Sequence, residues 1–199
     1  MNVTAEELHF LAAEAGLESV PGLGPLPLDP ADQASMRLMV GTADRSLHAR
    51  EEEAREAMAV LRELSGAGWT VSADSSVGGR AWWPVDGRVA QLSRTSPTDY
   101  SLELVDDLRA SLVSFLRLDG SDEDVGEPEF ADEERVASLG STVYCAVVLA
   151  DAGSRAEGIA LEWVDPGSGP VWVVEPIEGE VTVSRTGRAA VLKQLLAAH

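Results

Sequence analysis

Apolar residues recur with a helical period at the start of the chain. Thr4 and Glu7 have the spacing of a capping box, in which each side chain accepts from the backbone N–H of the other residue. Gly16 can adopt a left-handed conformation without strain, which is how many helices end. The sequence therefore predicts a first helix from about Ala5 to Ala15.

The next segment, Pro21 to Leu28, is rich in proline and glycine and is expected to be an apolar strap or docking loop, because prolines lack a backbone donor. Asp29 and Pro30 then have the residue types of an N-cap and a first helical position. Apolar residues at helical spacing predict a longer helix over 43–64. The first third of the chain is therefore expected to be helical.

From Trp69 the pattern changes to short runs rich in valine, tryptophan and threonine, which favour β-strands. Asp86 and Gly87 form a dipeptide that is typical of two-residue hairpins. Three or four antiparallel strands are therefore predicted across 69–95. Leucine and phenylalanine at helical spacing then predict a helix from residue 97 or 98 to 118.

Nine acidic residues and no basic residue lie between Asp119 and Glu134, which predicts a solvated loop. A short helix near Glu133 to Leu139 is expected to follow it. Four further strands and a closing helix complete the prediction. The strands cover Val143–Leu149, Glu157–Val164, Val171–Glu175 and Glu180–Val183, and the helix runs from about Thr186 to Ala198.

Strands followed by a closing helix thus occur twice along the chain. Pro84 to Val89 and Pro176 to Val181 share the pattern proline, β-branched, acid, glycine, any residue, valine, although chance is an alternative because hairpins favour such turns. The fold class expected is α+β, with antiparallel sheet units flanked by helices in two pseudo-symmetric halves. A single domain over 1–199 is expected, with a first unit over 1–118, an acidic loop over 119–134 and a second unit over 135–199.

The charge balance restricts the partners. The 199 residues include 15 Lys and Arg against 34 Asp and Glu, a formal net charge of −19 at pH 7, which disfavours nucleic acid and anionic membranes. No basic segment followed by an apolar one opens the chain, and no apolar run approaches the roughly 18 residues of a membrane span. We expect a cytoplasmic protein without membrane insertion. Arginine far outnumbers lysine, as in high-GC genomes such as those of actinobacteria.

Candidate chemistry is sparse. The single cysteine, Cys145, lies in an apolar run without zinc-ligand spacing and is predicted to be a buried, unreactive thiol. The run Asp119 to Asp124 resembles a calcium loop but lacks the required glycine and glutamate. Gly167 to Gly169 is predicted to be a hairpin turn and not a nucleophile elbow. The expectation is a protein that is not an enzyme, with no catalytic residue, no cofactor and no metal site.

Trp82 and Trp83 are adjacent in a predicted strand, so their side chains must point to opposite faces of the sheet. One side chain is expected in the core and the other under a cover, because both faces cannot be exposed without cost. The cover is either a helix of the same chain, the favoured interpretation, or a protein partner, since exposed aromatic residues are common anchors. Together with Gly78, Gly79 and Arg80, these tryptophans are the candidate partner-binding residues. Hairpin and core positions are the alternative for each of the five.

Hydrophobic patterns at both ends of the chain, without a chemical signature, are similar to those of a known protein family. They are Thr4–Leu8 with Leu11, Ala15–Leu17, the Leu-Pro-Leu stretch, Trp163–Asp165, Gly169, Val171–Val174 and Gly179–Val183. With the order of elements between them, the chain resembles the EspG family of proteins associated with ESX, or type VII, secretion. The resemblance implies a pseudo-twofold fold of antiparallel sheets flanked by helices, and a cytosolic chaperone that holds the helical tip of a secreted PE/PPE-type pair. The chain is shorter than typical members, which leaves the client open.

The function expected is that of an adaptor whose exposed apolar strip, rimmed by acids, covers the hydrophobic helix tips of a protein client. An acidic immunity or inhibitor protein that masks a basic toxin is the alternative, and a structural domain without a specific partner is a third hypothesis. The client, the oligomeric state and the ordering of 119–134 on binding stay open.

Overall fold

A computed structural model describes residues 1–23, 33–76, 78–120, 126–150, 158–177 and 180–197. These residues form six helices and ten strands. The helices are α1 (Ala5–Glu14), α2 (Gln33–His48), α3 (Glu51–Leu64), α4 (Leu108–Leu116), α5 (Glu133–Leu139) and α6 (Arg188–Leu196). The strands are β1 (Asn2–Thr4), β2 (Trp69–Ser75), β3 (Gly78–Val85), β4 (Arg88–Arg94), β5 (Asp99–Val105), β6 (Glu129–Ala131), β7 (Thr142–Ala150), β8 (Gly158–Asp165), β9 (Val171–Ile177) and β10 (Glu180–Thr186).

All ten strands belong to one antiparallel sheet, in the order β1-β5-β4-β3-β2-β7-β8-β9-β10-β6. β2 pairs with β7 at the centre, from Trp69 opposite Ala150 to Ser75 opposite Tyr144. Outward from this pair, β3, β4, β5 and β1 follow on one side, and β8, β9, β10 and β6 follow on the other. The α+β class with antiparallel strands, flanking helices and two pseudo-symmetric halves is therefore confirmed.

The two hairpins that share a sequence pattern do not occupy equivalent positions in these halves. Pro84 to Val89 joins β3 to β4, whereas Pro176 to Val181 joins β9 to β10. The strand order makes β8 and β9 the counterparts of β3 and β4, so the shared pattern does not trace a duplication. In the first hairpin local turn chemistry accounts for the pattern: Asp86 (φ 47°) and Gly87 (φ 77°) are both left-handed, as a two-residue hairpin requires.

The single helix predicted from residue 97 or 98 to 118 is wrong. The chain first forms β5 and then α4, whose N-cap is Asp107. In β5, Leu102 and Leu104 are two residues apart and contact the same core cluster. Leu104, in the strand, and Leu108, in the helix, are four residues apart, which is also the spacing of side chains on one face of a helix. The combined pattern imitates one long amphipathic helix.

The helix predicted over 43–64 is two helices, because the chain leaves the helical conformation at Arg50 (φ −127°, ψ 44°). The Arg50 guanidinium donates to the Asn2 carbonyl and to the Glu7 carboxylate, each at 2.8 Å. The break therefore places the start of α3 beside β1 and α1. The predicted helix start at Asp29 lies outside the described residues.

A strand was also missed at the edge of the sheet. β6 lies within the segment 119–134 that was expected to be a loop, and it pairs with β10 through Val181 opposite Ala131. In the run from Asp119 to Asp124 that resembles a calcium loop, residues 121–124 lie outside the described residues. Several predicted positions agree with the structure to within a few residues. They are those of the first helix, the short helix before β7, the four strands of the second half and the closing helix.

Two large clusters of buried side chains lie on opposite faces of the sheet. Trp83 belongs to the cluster beneath α1, α2 and α3. Trp82, its neighbour in β3, belongs to the cluster beneath α4 and α6. A smaller cluster around Leu139 and Val164 lies beneath α5. Because successive side chains of a strand point to opposite faces of the sheet, the two tryptophans pack into different core clusters.

A buried ion pair fixes the start of α6. Arg188, 7% exposed, donates to the carboxylate of Asp165, 2% exposed, with 2.6 Å between Nη2 and Oδ1. Its Nε donates to the Gly169 carbonyl at 2.7 Å, and its Nη1 donates to the Arg117 carbonyl. The Gly167 N–H donates to the same Asp165 oxygen at 2.8 Å. One guanidinium thus joins β8, the turn after it, the end of α4 and α6.

Replacing Arg188 by leucine should destabilise the protein by about 3 to 5 kcal/mol, because Asp165 would keep a buried charge without its partner. Urea unfolding followed by circular dichroism measures the loss. Arg55→Ala, which removes an exposed pair with Glu51 (2.8 Å), is the control and should cost less than about 0.5 kcal/mol. Equal losses for the two variants would contradict a structural role of the buried pair.

The predicted capping box of α1 is confirmed and is part of a larger cluster. The Thr4 N–H donates to Glu7 Oε2 at 3.0 Å, and the Glu7 N–H donates to Thr4 Oγ1 at 3.2 Å. Burial acts to raise the pKa of Glu7, but hydrogen bonds from Ser46, Thr4 and Arg50 and the charge of Arg50 outweigh it and hold that pKa below its usual value. The carboxylate therefore joins α1 to the junction of α2 and α3.

The pKa of Glu7 is lower in the folded protein than its value of 4.5 in the unfolded chain. The carboxylate therefore stabilises the fold at pH values above 4.5, and this stabilisation is lost as the pH falls through the pKa of the folded protein. Glu7→Gln should therefore lower the free energy of unfolding by about 2 kcal/mol at pH 7. The difference from the unaltered protein should shrink below pH 4.5. Urea titrations between pH 3 and 7 test this, with exposed Glu14→Gln as control. A difference that does not vary with pH would refute it.

Candidate partner-binding cleft

The two tryptophans singled out in the sequence are fully buried. Trp82 Nε1 donates to Gln91 Oε1 at 3.0 Å and to Ser111 Oγ, on α4, at 2.9 Å. Trp83 Nε1 donates to the Val60 carbonyl, on α3, at 3.1 Å. The favoured interpretation, that a helix of the same chain provides the cover, is confirmed, and it applies to both side chains. Neither indole is available at the surface to a partner.

The other three sequence candidates lie at the start of β3. Gly78 has φ of 149°, a conformation that favours glycine, and a Cβ on Gly79 would overlap the Asp74 carboxylate. The Arg80 guanidinium lies over the Phe115 ring, 4.8 Å from its centroid. Each residue therefore has a local structural role. Contact of Gly78, Gly79 and Arg80 with a partner stays a prediction.

Cys145 is exposed, so its predicted burial is wrong. β7 alternates: Tyr144 and Ala146 enter the core beneath α4 and α6, whereas Cys145 points to the opposite face. There it lies between Asp74 of β2 and Glu162 of β8. Partial desolvation on the sheet surface, and then these two carboxylates, raise the pKa of the thiol. The low reactivity of this thiol stays a prediction, which the raised pKa supports and burial in the core does not.

A cleft of about 680 Å³ opens between α3 and the sheet, on the face that α1, α2 and α3 cover. We call it the α3 cleft. Its apolar lining residues are Met1, Ala57, Ala59, Val60, Val85, Leu102 and Leu104. Its charged lining residues are Glu53, Glu56, Glu63, Asp86, Arg88 and Glu103. An apolar floor and a predominantly acidic rim thus occur together.

The helical period of α3 builds one wall. Ala54 and Leu61 face the core and are buried, and Val60 borders them and is half-buried. Glu56 and Glu63 are exposed and lie on the same side of the helix, two turns apart. The opposite wall comes from the ends of β3, β4 and β5. One helix face therefore presents small apolar side chains below a row of carboxylates.

The single basic side chain of the lining, that of Arg88, is already compensated, and the Met1 ammonium donates to the Leu102 carbonyl at 2.7 Å. Arg88 Nε lies 2.8 Å from Asp106 Oδ1, and its Nη2 donates to the Leu104 carbonyl at 3.2 Å. Glu53 has a distant contact with Arg50, 4.0 Å away. The electrostatic potential of the rim is therefore set by acids, which favours a partner with an apolar centre and basic flanks.

Sequence reasoning did not identify the α3 cleft. The acids at the start of α3 had the spacing of a solvated helix face, and nothing local distinguishes Glu56 or Glu63 from that interpretation. Its lining residues come from the chain start, α3, the β3–β4 hairpin and β5, which only the tertiary fold brings together. A helix that is apolar and acidic along adjoining stripes is the only local signal that could have indicated it.

Within the ranges that the structure describes, no group of three or more histidine, cysteine, aspartate or glutamate side chains is arranged to hold a metal ion. In the same ranges no helix combines the length and the apolar character needed to cross a membrane. No protein-family model matches the chain, and no curated protein matches it. The α3 cleft is therefore the feature of the described residues from which a function can be inferred.

The rate of Cys145 alkylation tests whether Glu162 and Asp74 raise the pKa of the thiol. Glu162→Gln combined with Asp74→Asn should lower the thiol pKa and speed the reaction with iodoacetamide at pH 8, up to about tenfold per pKa unit. Asp74 pairs with Arg94 at 2.9 Å, and Asp106 pairs with Arg88 at 2.8 Å. Asp106→Asn, which removes a similarly paired acid, is therefore the control and should leave the rate unchanged. An unchanged rate in the double variant would show that the two acids do not govern this thiol.

Proposed function

We propose that this protein is a non-enzymatic cytosolic adaptor that binds the apolar tip of a helical protein partner in the α3 cleft and holds it before export. The α3 cleft carries the proposal, because an apolar floor inside an acidic rim fits an amphipathic segment better than it fits a small polar substrate. Binding would shield apolar side chains of the partner from water.

The size of the cleft limits the partner segment that it can hold. The row from Glu53 to Glu63 corresponds to about 15 Å along α3 at 1.5 Å per residue. A helix is about 10 to 12 Å across, so a volume of about 680 Å³ accommodates several side chains from a helix end and not a whole helix. A helix tip is therefore the element that fits.

The charge of the whole protein assists the same function. With a net charge of −19, copies of this protein repel one another and repel other acidic proteins, which keeps an adaptor in solution. Basic residues flanking the apolar tip of a partner would be attracted to the rim formed by Glu56, Glu63 and Asp86. The rim would thus speed encounter, and the apolar floor would provide most of the affinity.

The architecture supports one class of partner to test first. A single antiparallel sheet with two pseudo-symmetric halves and helices on both faces is the fold that the resemblance to EspG-like chaperones implies. Helical substrates of type VII secretion are therefore the first candidates. The partner-binding role of Gly78, Gly79 and Arg80 belongs to the same proposal, at a site separate from the α3 cleft.

The test combines capture with matched charge reversals on α3. Tagged protein is used to capture partners from the cytosol of the native host at low and moderate salt, and the captured partner is then purified and titrated. Glu56→Arg with Glu63→Arg, in the rim, should weaken its binding at least tenfold. Glu51→Arg with Glu52→Arg changes the charge equally on a part of α3 outside the cleft lining and should weaken binding less than threefold.

A helical exported protein that discriminates between these two variants is the expected result. Capture of a basic enzyme or toxin that loses activity in the complex would replace the adaptor by the inhibitor alternative. Equal effects of both double variants would show that general charge, and not the α3 cleft, determines binding. Circular dichroism of each variant confirms that its fold is retained.

A further inference from the structure

Most of the charged side chains that line the α3 cleft are hydrogen-bond acceptors. They are carboxylates, which at neutral pH accept hydrogen bonds and cannot donate them. The side chains of Glu56, Glu63 and Asp86 are exposed, and none of them has an ion pair or a hydrogen bond with a residue that the structure describes. The rim of the cleft therefore offers three carboxylates that are free to accept from a bound partner.

The two cationic donors of the lining are already engaged within the molecule. The Met1 ammonium donates to the Leu102 carbonyl at 2.7 Å. Arg88 donates through Nε to Asp106 at 2.8 Å and through Nη2 to the Leu104 carbonyl at 3.2 Å. The other side chains of the lining are apolar or acidic. A bound group that needs acceptors therefore finds them in this cleft, whereas a group that needs side-chain donors does not.

The two ends of a helix differ in this same respect. The first four N–H groups of a helix have no partner within it, and that end carries a partial positive charge. The last four carbonyl groups are unpaired in the same way, and that end carries a partial negative charge. Carboxylates stabilise the first end and repel the second. The acceptor-rich rim of the α3 cleft therefore fits the N-terminal end of a helix and not the C-terminal end.

The positions of the three free carboxylates match the width of one helix. Glu56 and Glu63 are two turns apart on α3, which corresponds to about 10.5 Å along its axis, and a helix is about 10 to 12 Å across. Asp86 lies on the opposite wall, in the turn between β3 and β4. A helix end on the apolar floor would therefore have carboxylates on both sides of it.

We infer that the α3 cleft selects the direction of the partner helix and binds its N-terminal end. The apolar side chains of the first turn lie on the floor, and the unpaired N–H groups point towards Glu56, Glu63 and Asp86. The inference rests on the proposed function, because it specifies which end of a helix this site binds. Acidic residues are common in the first turn of helices, but the rim would repel them. The first turn of the partner is therefore apolar and without acids.

Two synthetic helices of identical composition test the inference on the full chain. One peptide has leucines in its first turn and alanine and glutamine elsewhere, and the other has the reversed sequence, with the leucines in its last turn. Acetyl and amide ends and a central side-chain lactam make both peptides uncharged and helical. Titrations followed by fluorescence anisotropy should show that the first peptide binds more tightly, by about threefold or more, and that this ratio falls as the salt concentration rises.

Charge reversal in the rim should reverse the order of the two peptides. Glu56→Arg with Glu63→Arg replaces acceptors by donors and brings positive charge, which favours the C-terminal end of a helix. Glu51→Arg with Glu52→Arg makes the same change of charge at exposed positions of α3 outside the cleft lining, and it should keep the order found for the unaltered protein. Circular dichroism confirms that both variants retain the fold.

Three results would overturn the inference and leave the proposed function standing, because a helix tip would still bind. They are equal affinity for the two peptides, tighter binding of the second peptide, and an order that is the same in the unaltered protein and in the rim variant. Reversal of the order in both double variants would show that the charge of the whole protein, and not the rim, selects the helix end. If neither peptide binds, the proposed function fails and the inference fails with it.

Discussion

The pairing of β2 with β7 is the contact that makes one molecule out of two halves. Val71 and Ala73 from β2 and Ala146 and Val148 from β7 all enter the core beneath α4 and α6. Because each half contributes one strand, neither half alone would present a complete apolar floor to those two helices. The sheet order, the position of Trp82 and the shared core of both halves all follow from this central pair.

Features with a local chemical cause could be predicted from the sequence. The capping box of Thr4 and Glu7 and the left-handed turn at Gly87 involve neighbouring residues only. β5 was missed because Leu104 and Leu108 join two periodicities, and the exposure of Cys145 was missed because distant helices decide which face of β7 is covered. The α3 cleft combines four separate segments, so no local pattern could specify it.

The two halves differ chiefly in the segment between their first helix and their central strand. In the first half α2 and α3 lie between α1 and β2, whereas in the second half only Gly140 and Ser141 lie between α5 and β7. A Cβ on Gly140 would overlap the Asp165 carbonyl, so that connection is tightly packed. The wall of the α3 cleft therefore belongs to the part of the first half that has no counterpart in the second.

Both edges of the sheet are formed by strands of three residues, β1 and β6. Thr4 ends β1 by starting α1, and Asp132 caps α5 directly after β6. An edge of this length offers few unpaired backbone groups to a strand from another molecule. The edges of the ten-stranded sheet are thereby a poor template for fibril-like growth, in which strands of neighbouring molecules pair edge to edge.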